Sequence, residues 1–238
     1  MLILPNTYKT FVCTLSMGFV QLSSGGKDSV YSMHRAMQQG VSFSEILTVV
    51  PRREDSYMFH YPNARWAELQ ARAMDLPHRF VHTEGVKERE LEDLRDALAS
   101  MDIDGVCSGA VKSSYQFDRI KALCDDLNLE CISPLWQCDE RALIHEAASV
   151  LDIVIVGVYA WGLGRDLLGR HIDEEFLAFL DVAHERYGVN YVGEGGEYET
   201  YVVDAPQFKK SIHIMDSSVV WERDSGYLSI TSATLEDK

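Results

Sequence analysis

Basic residues are scarce in this chain: 22 Lys and Arg stand against 37 Asp and Glu, for a formal net charge of -15. Nucleic-acid binding through phosphate contacts needs clustered cations to displace counterions, so DNA or RNA is set aside as the main substrate. Cysteine is sparse and oddly distributed. Cys13, Cys107, Cys124, Cys131 and Cys138 include no C-x-x-C pair, and Cys107 and Cys131 fall in short apolar segments. That pattern suits reduced structural thiols in a reducing compartment. A zinc site built from Cys124, Cys131, Cys138 and a histidine matches no common ligand spacing. There is also no apolar run of the length that crosses a bilayer, no low-complexity linker and no internal repeat. The expectation is a soluble cytoplasmic protein with no membrane and no nucleic acid among its partners. The stretch from Phe11 to Leu22 superficially resembles a signal peptide, yet it runs into a glycine turn instead of a cleavage site. Residues 1–16 read as an N-terminal extension, with Met17 as an alternative start.

What is present is an α/β pattern. From residue 17 to residue 133, short apolar runs alternate with helical periodicity, as in a parallel sheet covered by helices. Strands are predicted at Gly18 to Ser23, Ile46 to Val50, Arg79 to His82, Gly105 to Ser108 and Glu130 to Ile132. Helices are predicted at Asp28 to Gln39, Ala64 to Met74, Lys87 to Ser100 and Ser114 to Leu127. The resulting five-stranded parallel sheet forms a nucleotide-binding domain. From Pro134 to residue 238 the pattern changes to a smaller α+β domain. It has helices at Arg141 to Val150 and Asp173 to Tyr187, an apolar strand at Asp152 to Tyr159, and β structure around 201–203, 212–221 and 227–231. Without a flexible linker the two parts are expected to pack tightly.

The first chemical motif follows the first strand at once: Ser24-Gly25-Gly26-Lys27-Asp28-Ser29, leading into a helix. Glycines let backbone amides approach phosphate oxygens, and a helix N-terminus adds partial positive charge. Lys27 supplies a full charge, Ser24 and Ser29 supply hydroxyls, and Asp28 suits either a helix cap or a magnesium ligand. The loop is not G-x-x-x-x-G-K-[ST], so a different kind of ATP chemistry is implied. Three further segments stand at predicted carboxyl edges or in loops. Asp55 to Asn63 brings His60 and Asn63 to the edge where open α/β sheets bind ligands. Ser108 to Gln116 places Gly109, Ala110, Ser113, Tyr115 and Gln116 before and within a helix start, a second set of amides and hydroxyls. Gly193-Glu194-Gly195-Gly196-Glu197-Tyr198-Glu199-Thr200 crowds like charges that repel unless a cation compensates them.

The glycine turn at 24–29 resembles the PP-loop of the N-type ATP pyrophosphatases. That resemblance implies a five-stranded parallel sheet of the PP-loop, adenine nucleotide alpha hydrolase-like type, together with ATP, magnesium and an adenylated intermediate. The ordered set then becomes more specific. It comprises that loop, Met58-Phe59-His60 with Pro62-Asn63, Gly109-Ala110 with Ser113, Tyr115-Gln116 and Arg119, Pro134-Leu135-Trp136, Leu168-Gly169-Arg170 with Asp173, and the acidic glycine loop. In this order it resembles the diphthine ammonia ligase family, over about Met17 to Phe208. The resemblance implies amidation of diphthine, a modified histidine on translation elongation factor 2, with ammonium as nitrogen source, through an acyl adenylate, with release of AMP and pyrophosphate. The length is similar to the short archaeal form, eukaryotic members being expected to carry extra C-terminal domains. Lys112, a bulky charge inside the second glycine motif, departs from the pattern.

Under this reading Lys27, Asp28 and Ser29 are the candidate catalytic residues, with Asp28 as the magnesium ligand. Ser24, Gly25, Gly26, Gly109, Ala110 and Ser113 complete the nucleotide site. His60, Asn63, Tyr115, Gln116, Arg119, Arg170, Glu194, Gly195, Gly196, Glu197, Tyr198, Glu199 and Thr200 are the candidate substrate contacts. Diphthine carries a trimethylammonium group, so Glu194, Glu197, Glu199 and Tyr198, with Trp136 or Trp161, are expected to form its pocket. Three alternatives remain open at this point: an adenylating amidase for a small carboxylate, a tRNA-modifying PP-loop protein, and a non-catalytic nucleotide sensor. Missing cysteine pairs and the charge of -15 oppose the second. Oligomeric state, a homo-oligomer included, is not legible.

Overall fold

A computed structural model of the chain describes residues 18–51, 63–83 and 89–238. The first half comprises β1 (Phe19–Leu22), α1 (Lys27–Gln38), β2 (Phe43–Pro51), α2 (Ala67–Ala73), β3 (His78–Thr83), α3 (Arg89–Ala99), β4 (Gly105–Cys107), α4 (Ser114–Leu127) and β5 (Glu130–Ile132). These strands form one parallel sheet in the order β3-β2-β1-β4-β5. Its chain order reverses between β1 and β4. The loops that leave those two strands therefore meet above the carboxyl ends, where such sheets open a crevice.

The second half adds α5 (Glu140–Val150), β6 (Asp152–Val158), α6 (Glu174–Tyr187), β7 (Tyr198–Asp204), β8 (Lys210–Glu222) and β9 (Ser225–Asp237). Its strands make an antiparallel sheet in the order β7-β6-β9-β8. The helix ends are set by local chemistry. Ser113, Asp139 and Asp173 cap α4, α5 and α6, each side chain accepting a backbone N–H three residues on. Asn128 and Gly188 stop α4 and α6 in the left-handed conformation.

Two apolar clusters hold these layers. The smaller lies between the parallel sheet and α3 and α4, and includes Val20, Leu47, Leu94, Leu98, Val106 and Leu123. The larger is common to both halves: Val30 and Met33 of α1 and Leu69 of α2 pack in one cluster with Ile153, Ile155, Phe176, Tyr198 and Tyr201. The two halves thus share one apolar core. Helix α4 spans Ser114–Leu127 as its caps foretell, and β8 (Lys210–Glu222) is close to the expected 212–221, whereas β9 (Ser225–Asp237) runs well beyond the expected 227–231. Residues 232–237 of β9 are exposed or half-buried, so no buried apolar alternation marked them.

Candidate functional site

The turn at 24–29 is built from the inside out. Ser23 Oγ accepts the Gly25 N–H at 3.1 Å and shares a hydrogen bond with Ser29 Oγ at 3.0 Å, while Ser29 Oγ also reaches the Gly26 carbonyl at 2.9 Å. Gly25 has φ +85°, and a Cβ there would lie 3.3 Å from the Tyr201 ring, so backbone freedom and space both call for glycine. Its carbonyl accepts Gln70 Nε2 at 2.9 Å and the Val202 N–H at 3.1 Å. Strand β7 is thereby strapped to the turn, with Thr200 Oγ1 accepting the Lys27 N–H at 3.1 Å.

Lys27 is 3% exposed. Its ammonium donates to Asp28 at 2.9 Å and to the Val192 carbonyl, and lies 5.3 Å from the centre of the Tyr198 ring. Asp28 is pulled two ways. Burial raises its pKa, the Lys27 charge and hydrogen bond oppose that, and Glu194 adds a smaller push upward. The second glycine loop packs directly on this turn: a Cβ at Gly109 would sit 2.8 Å from the Asp28 carbonyl carbon and the Ser29 nitrogen.

A cleft of about 450 Å³ opens between these loops and β7. Its lining includes the aliphatic Leu22, Leu47, Val49, Leu91, Leu94 and Ile120 together with Ser24, Gly26, Lys27, Asp28, Ser29, Gly109 and Ala110 of the two turns. Among the described residues lining it are four carboxylates, Asp28, Glu90, Glu194 and Glu199, against two cations, Lys27 and Arg119. The cleft is thus net acidic.

The three carboxylates of the glycine-rich loop do not converge, which corrects the expected acidic pocket. Glu194 is held by backbone amides, its Oε1 accepting Val111, Lys112 and Ser113 N–H groups at 2.9 to 3.2 Å. The amides expected to face a phosphate therefore meet a carboxylate of this chain. Glu197 folds back onto its own loop, accepting the Asn190 N–H at 3.3 Å, and neither it nor Gly195 lines the cleft. Glu199 does line the cleft, and burial pushes its pKa up to about 7. Tyr198 is buried beneath Lys27 and donates to the Tyr191 carbonyl. Gly193, at φ +69°, keeps the loop clear of the Tyr198 backbone.

The remaining candidates divide. Tyr115, Gln116 and Arg119 line the cleft, the Arg119 guanidinium stacking 3.6 Å over the Tyr115 ring. Asn63 lines it too, but its amide bridges the Leu228 carbonyl and the Ile230 N–H, so it works as a staple to β9. Arg170 does not reach the cleft. It pairs with Asp173 at 3.3 Å and Glu175 at 3.0 Å. Trp136 stacks on Phe117 and Trp161 is 74% exposed, neither lining the cleft. Ser113 caps α4, and the Lys112 side chain points away to Glu140 at 3.1 Å, leaving only its amide to the loop. His60 falls outside the described residues.

The chain matches the family model for the diphthamide synthase N-terminal domain over residues 17–131 and that for the C-terminal domain over 139–235. It belongs to the diphthamide synthase family. Among relatives named diphthine–ammonia ligase, one from Danio rerio is 35% identical over 253 residues, covering 93% of this chain and 98% of that protein. One from Rattus norvegicus is 35% identical over 252 residues, covering 93% and 94%. These animal members of the diphthamide synthase family are of similar length, so length does not set this chain with an archaeal form. The Schizosaccharomyces pombe relative, 40% covered, is of the longer kind. A solved structure described as a predicted subunit of tRNA methyltransferase from Methanocaldococcus jannaschii superposes with a TM-score of 0.46 at 18% identity, covering 81% of this chain and 98% of that one.

Several residues that line or brace this family member's cleft went unread in the sequence. Gln70 carried a signal, being a polar residue on the inward face of a predicted helix, and it braces Gly25 and Val202. Tyr201, which donates to the Trp66 carbonyl at 2.9 Å, and the aliphatic lining carried none, since both read as ordinary core.

Proposed function

We propose that this chain is an ATP-dependent carboxylate–ammonia ligase that amidates diphthine on translation elongation factor 2, yielding diphthamide, AMP and pyrophosphate. The observation that carries the reading is the contact of Gly109 with Asp28 and Ser29. It sets the two glycine turns side by side on a cleft whose lining also includes six aliphatic side chains. The aliphatic lining suits a nucleobase, and the turn at 24–29 suits the departing pyrophosphate.

Catalysis of adenylation then rests on charge and position. Lys27 lies at the N-terminus of α1 and neutralises charge that grows on the leaving phosphates, and the helix start adds its partial positive charge. Gly25 and Gly26 keep the loop backbone close, and Ser24 and Ser29 offer hydroxyls. Ala110 and Gly109 leave room for the ribose and α-phosphate side of the nucleotide. Nucleotide phosphates entering a net acidic cleft need further positive charge, which is the argument for magnesium. Asp28, with its side chain one-third exposed and already burdened by burial, is the carboxylate that would hold it, supplying charge neutralisation at the phosphates.

On the acceptor side, Glu194 and Glu197 are engaged by backbone amides. The trimethylammonium arm of diphthine is therefore attracted by the acidic cleft as a whole, with Tyr115, Gln116 and Arg119 at its rim. Pyrophosphate release is the decisive measurement. It should require ATP, ammonium and elongation factor bearing diphthine together. Equal release without the protein acceptor, or with a small carboxylate in its place, would overturn this substrate assignment.

A further inference from the structure

Ammonium, the form in which the nitrogen donor exists in neutral water, is not a nucleophile until it loses a proton. A ligase that uses it must hold a small cation and accept that proton beside the acyl carbon. Glu199 lines the cleft, and the neutral Tyr159 hydroxyl donates to its Oε2 at 3.4 Å. Asp28 has Lys27, and Glu194 has a turn of amides.

The place is built rather than incidental. Gly157 of β6 pairs with Glu199 across the sheet, next to a register shift between Ile155 and Gly157. Because residue 157 has no side chain, the Tyr159 ring folds back over it: a Cβ there would lie 2.8 Å from the ring, 2.9 Å from its hydroxyl and 3.0 Å from Glu199 Cβ. The result is a corner presenting carboxylate oxygens and a phenolic oxygen. These are acceptors for a cation with several N–H donors. Glu199 lines the same cleft as the nucleotide turn at 24–29.

We propose that Glu199, assisted by the Tyr159 hydroxyl, is the group that binds ammonium in the cleft and takes its proton, a role that rests on the amidation reading. The carboxylate accepts one proton from ammonium, and nitrogen keeps the electron pair. That pair forms the new C–N bond at the acyl carbon, and the C–O bond to the adenylate phosphate breaks, its electrons leaving with AMP. The nitrogen then releases a second proton to water, and Glu199 returns its own to solvent. One ammonium and one acyl adenylate thus give one amide, one AMP and two protons. Burial brings the carboxyl's pKa closer to that of its proton donor, as a general base requires. Tyr159 faces it from beyond β6, and Lys27 and Asp28 of α1, Glu90 of α3, Arg119 of α4 and Glu194 stand around the same cleft.

The test compares two nucleophiles at pH 7 with the purified protein, ATP, magnesium and diphthine-bearing elongation factor. Hydroxylamine is uncharged there and needs no base. In Glu199→Gln, amide formation from ammonium should fall by about 10²-fold or more, hydroxamate formation should persist, and the ammonium reaction should recover as pH rises and free ammonia appears. Tyr159→Phe should raise the KM for ammonium and leave that for hydroxylamine unmoved. Equal loss with both nucleophiles in a variant that melts like the wild type would overturn the proposal, as would no loss with either. Should Glu199→Gln fold poorly, the two KM values in Tyr159→Phe decide, equal shifts counting against it. If the wild-type protein itself released no pyrophosphate with either nucleophile, the amidation reading, and not this assignment alone, would fall.

Discussion

Both carboxylate oxygens of Glu194 accept the backbone N–H of Lys112, at 2.9 and 3.0 Å, across a sequence separation of 82 residues. The same carboxylate takes the amides of Val111 and Ser113, so a single side chain from the second half of the chain closes the turn that starts α4. Hydrogen bonds to a charged acceptor contribute more than neutral ones, roughly 1.5–3 kcal/mol each at most. Glu194→Ala leaves these partly buried amides without that acceptor. The expected outcome is a loss of about 2 kcal/mol, or roughly 4–8 °C in melting temperature for a chain of this size. Thermal denaturation followed by circular dichroism measures it, and an unchanged melting curve would show the clamp to be energetically idle.

Replacing Lys27 reaches the chemistry more directly. Its ammonium is buried between Asp28 and the Val192 carbonyl, close to the turn that holds the phosphates. Lys27→Ala should lower kcat/KM for pyrophosphate release by about 10²–10³-fold. Lys27→Arg should rescue little, because a planar fork does not fit a site shaped around one point charge. Steady-state release assays at saturating acceptor give the answer.

The contact between the two glycine turns can be probed by one methyl group. In Gly109→Ala the new Cβ would press on the Asp28 and Ser29 backbone at 2.8 Å, and backbone yields poorly. The turns should separate by a few tenths of an ångström, at a cost of about 1–3 kcal/mol from overpacking. The KM for ATP should rise about tenfold or more, since small displacements of a positioning element cost that much. Kinetics at varied ATP, with ammonium and acceptor fixed, separate this from a simple loss of folded protein.

How much of this was legible depended on whether the information was local. The glycine turn, the capped α4 and the alternation of short apolar runs with helices are written within windows of about a dozen residues. They were read with small boundary errors: the first strand was placed at Gly18 to Ser23 and spans Phe19–Leu22. Partners distant in sequence were not readable. Asn63 resembled a substrate contact because it stands at the carboxyl edge, yet its amide is consumed by Leu228 and Ile230, some 165 residues away. Glu194 and Glu197 looked like members of one acidic cluster because they are near in sequence, but the loop splays them toward different amides. Proximity in sequence said nothing of direction.

The stability of the protein should carry the mark of Glu199. Burial raises its folded pKa from the usual 4.5 to about 7, so the folded state favours the protonated form. The stabilisation this gives is fully present below the unfolded value, and it is lost as pH rises through the folded one. Above pH 7 the protein therefore bears a charged, largely buried carboxylate, at a cost of up to about 3 kcal/mol for a shift of this size. Glu199→Gln resembles the neutral acid in shape and polarity. Its melting temperature should exceed that of the wild type at pH 8, and the two should converge as pH falls toward the usual carboxylate range. Calorimetric melting at several pH values between these limits tests the trade. A gain in stability confined to the alkaline side, joined to loss of ammonium-dependent turnover, is what a carboxylate kept against its own solvation for a chemical task would produce.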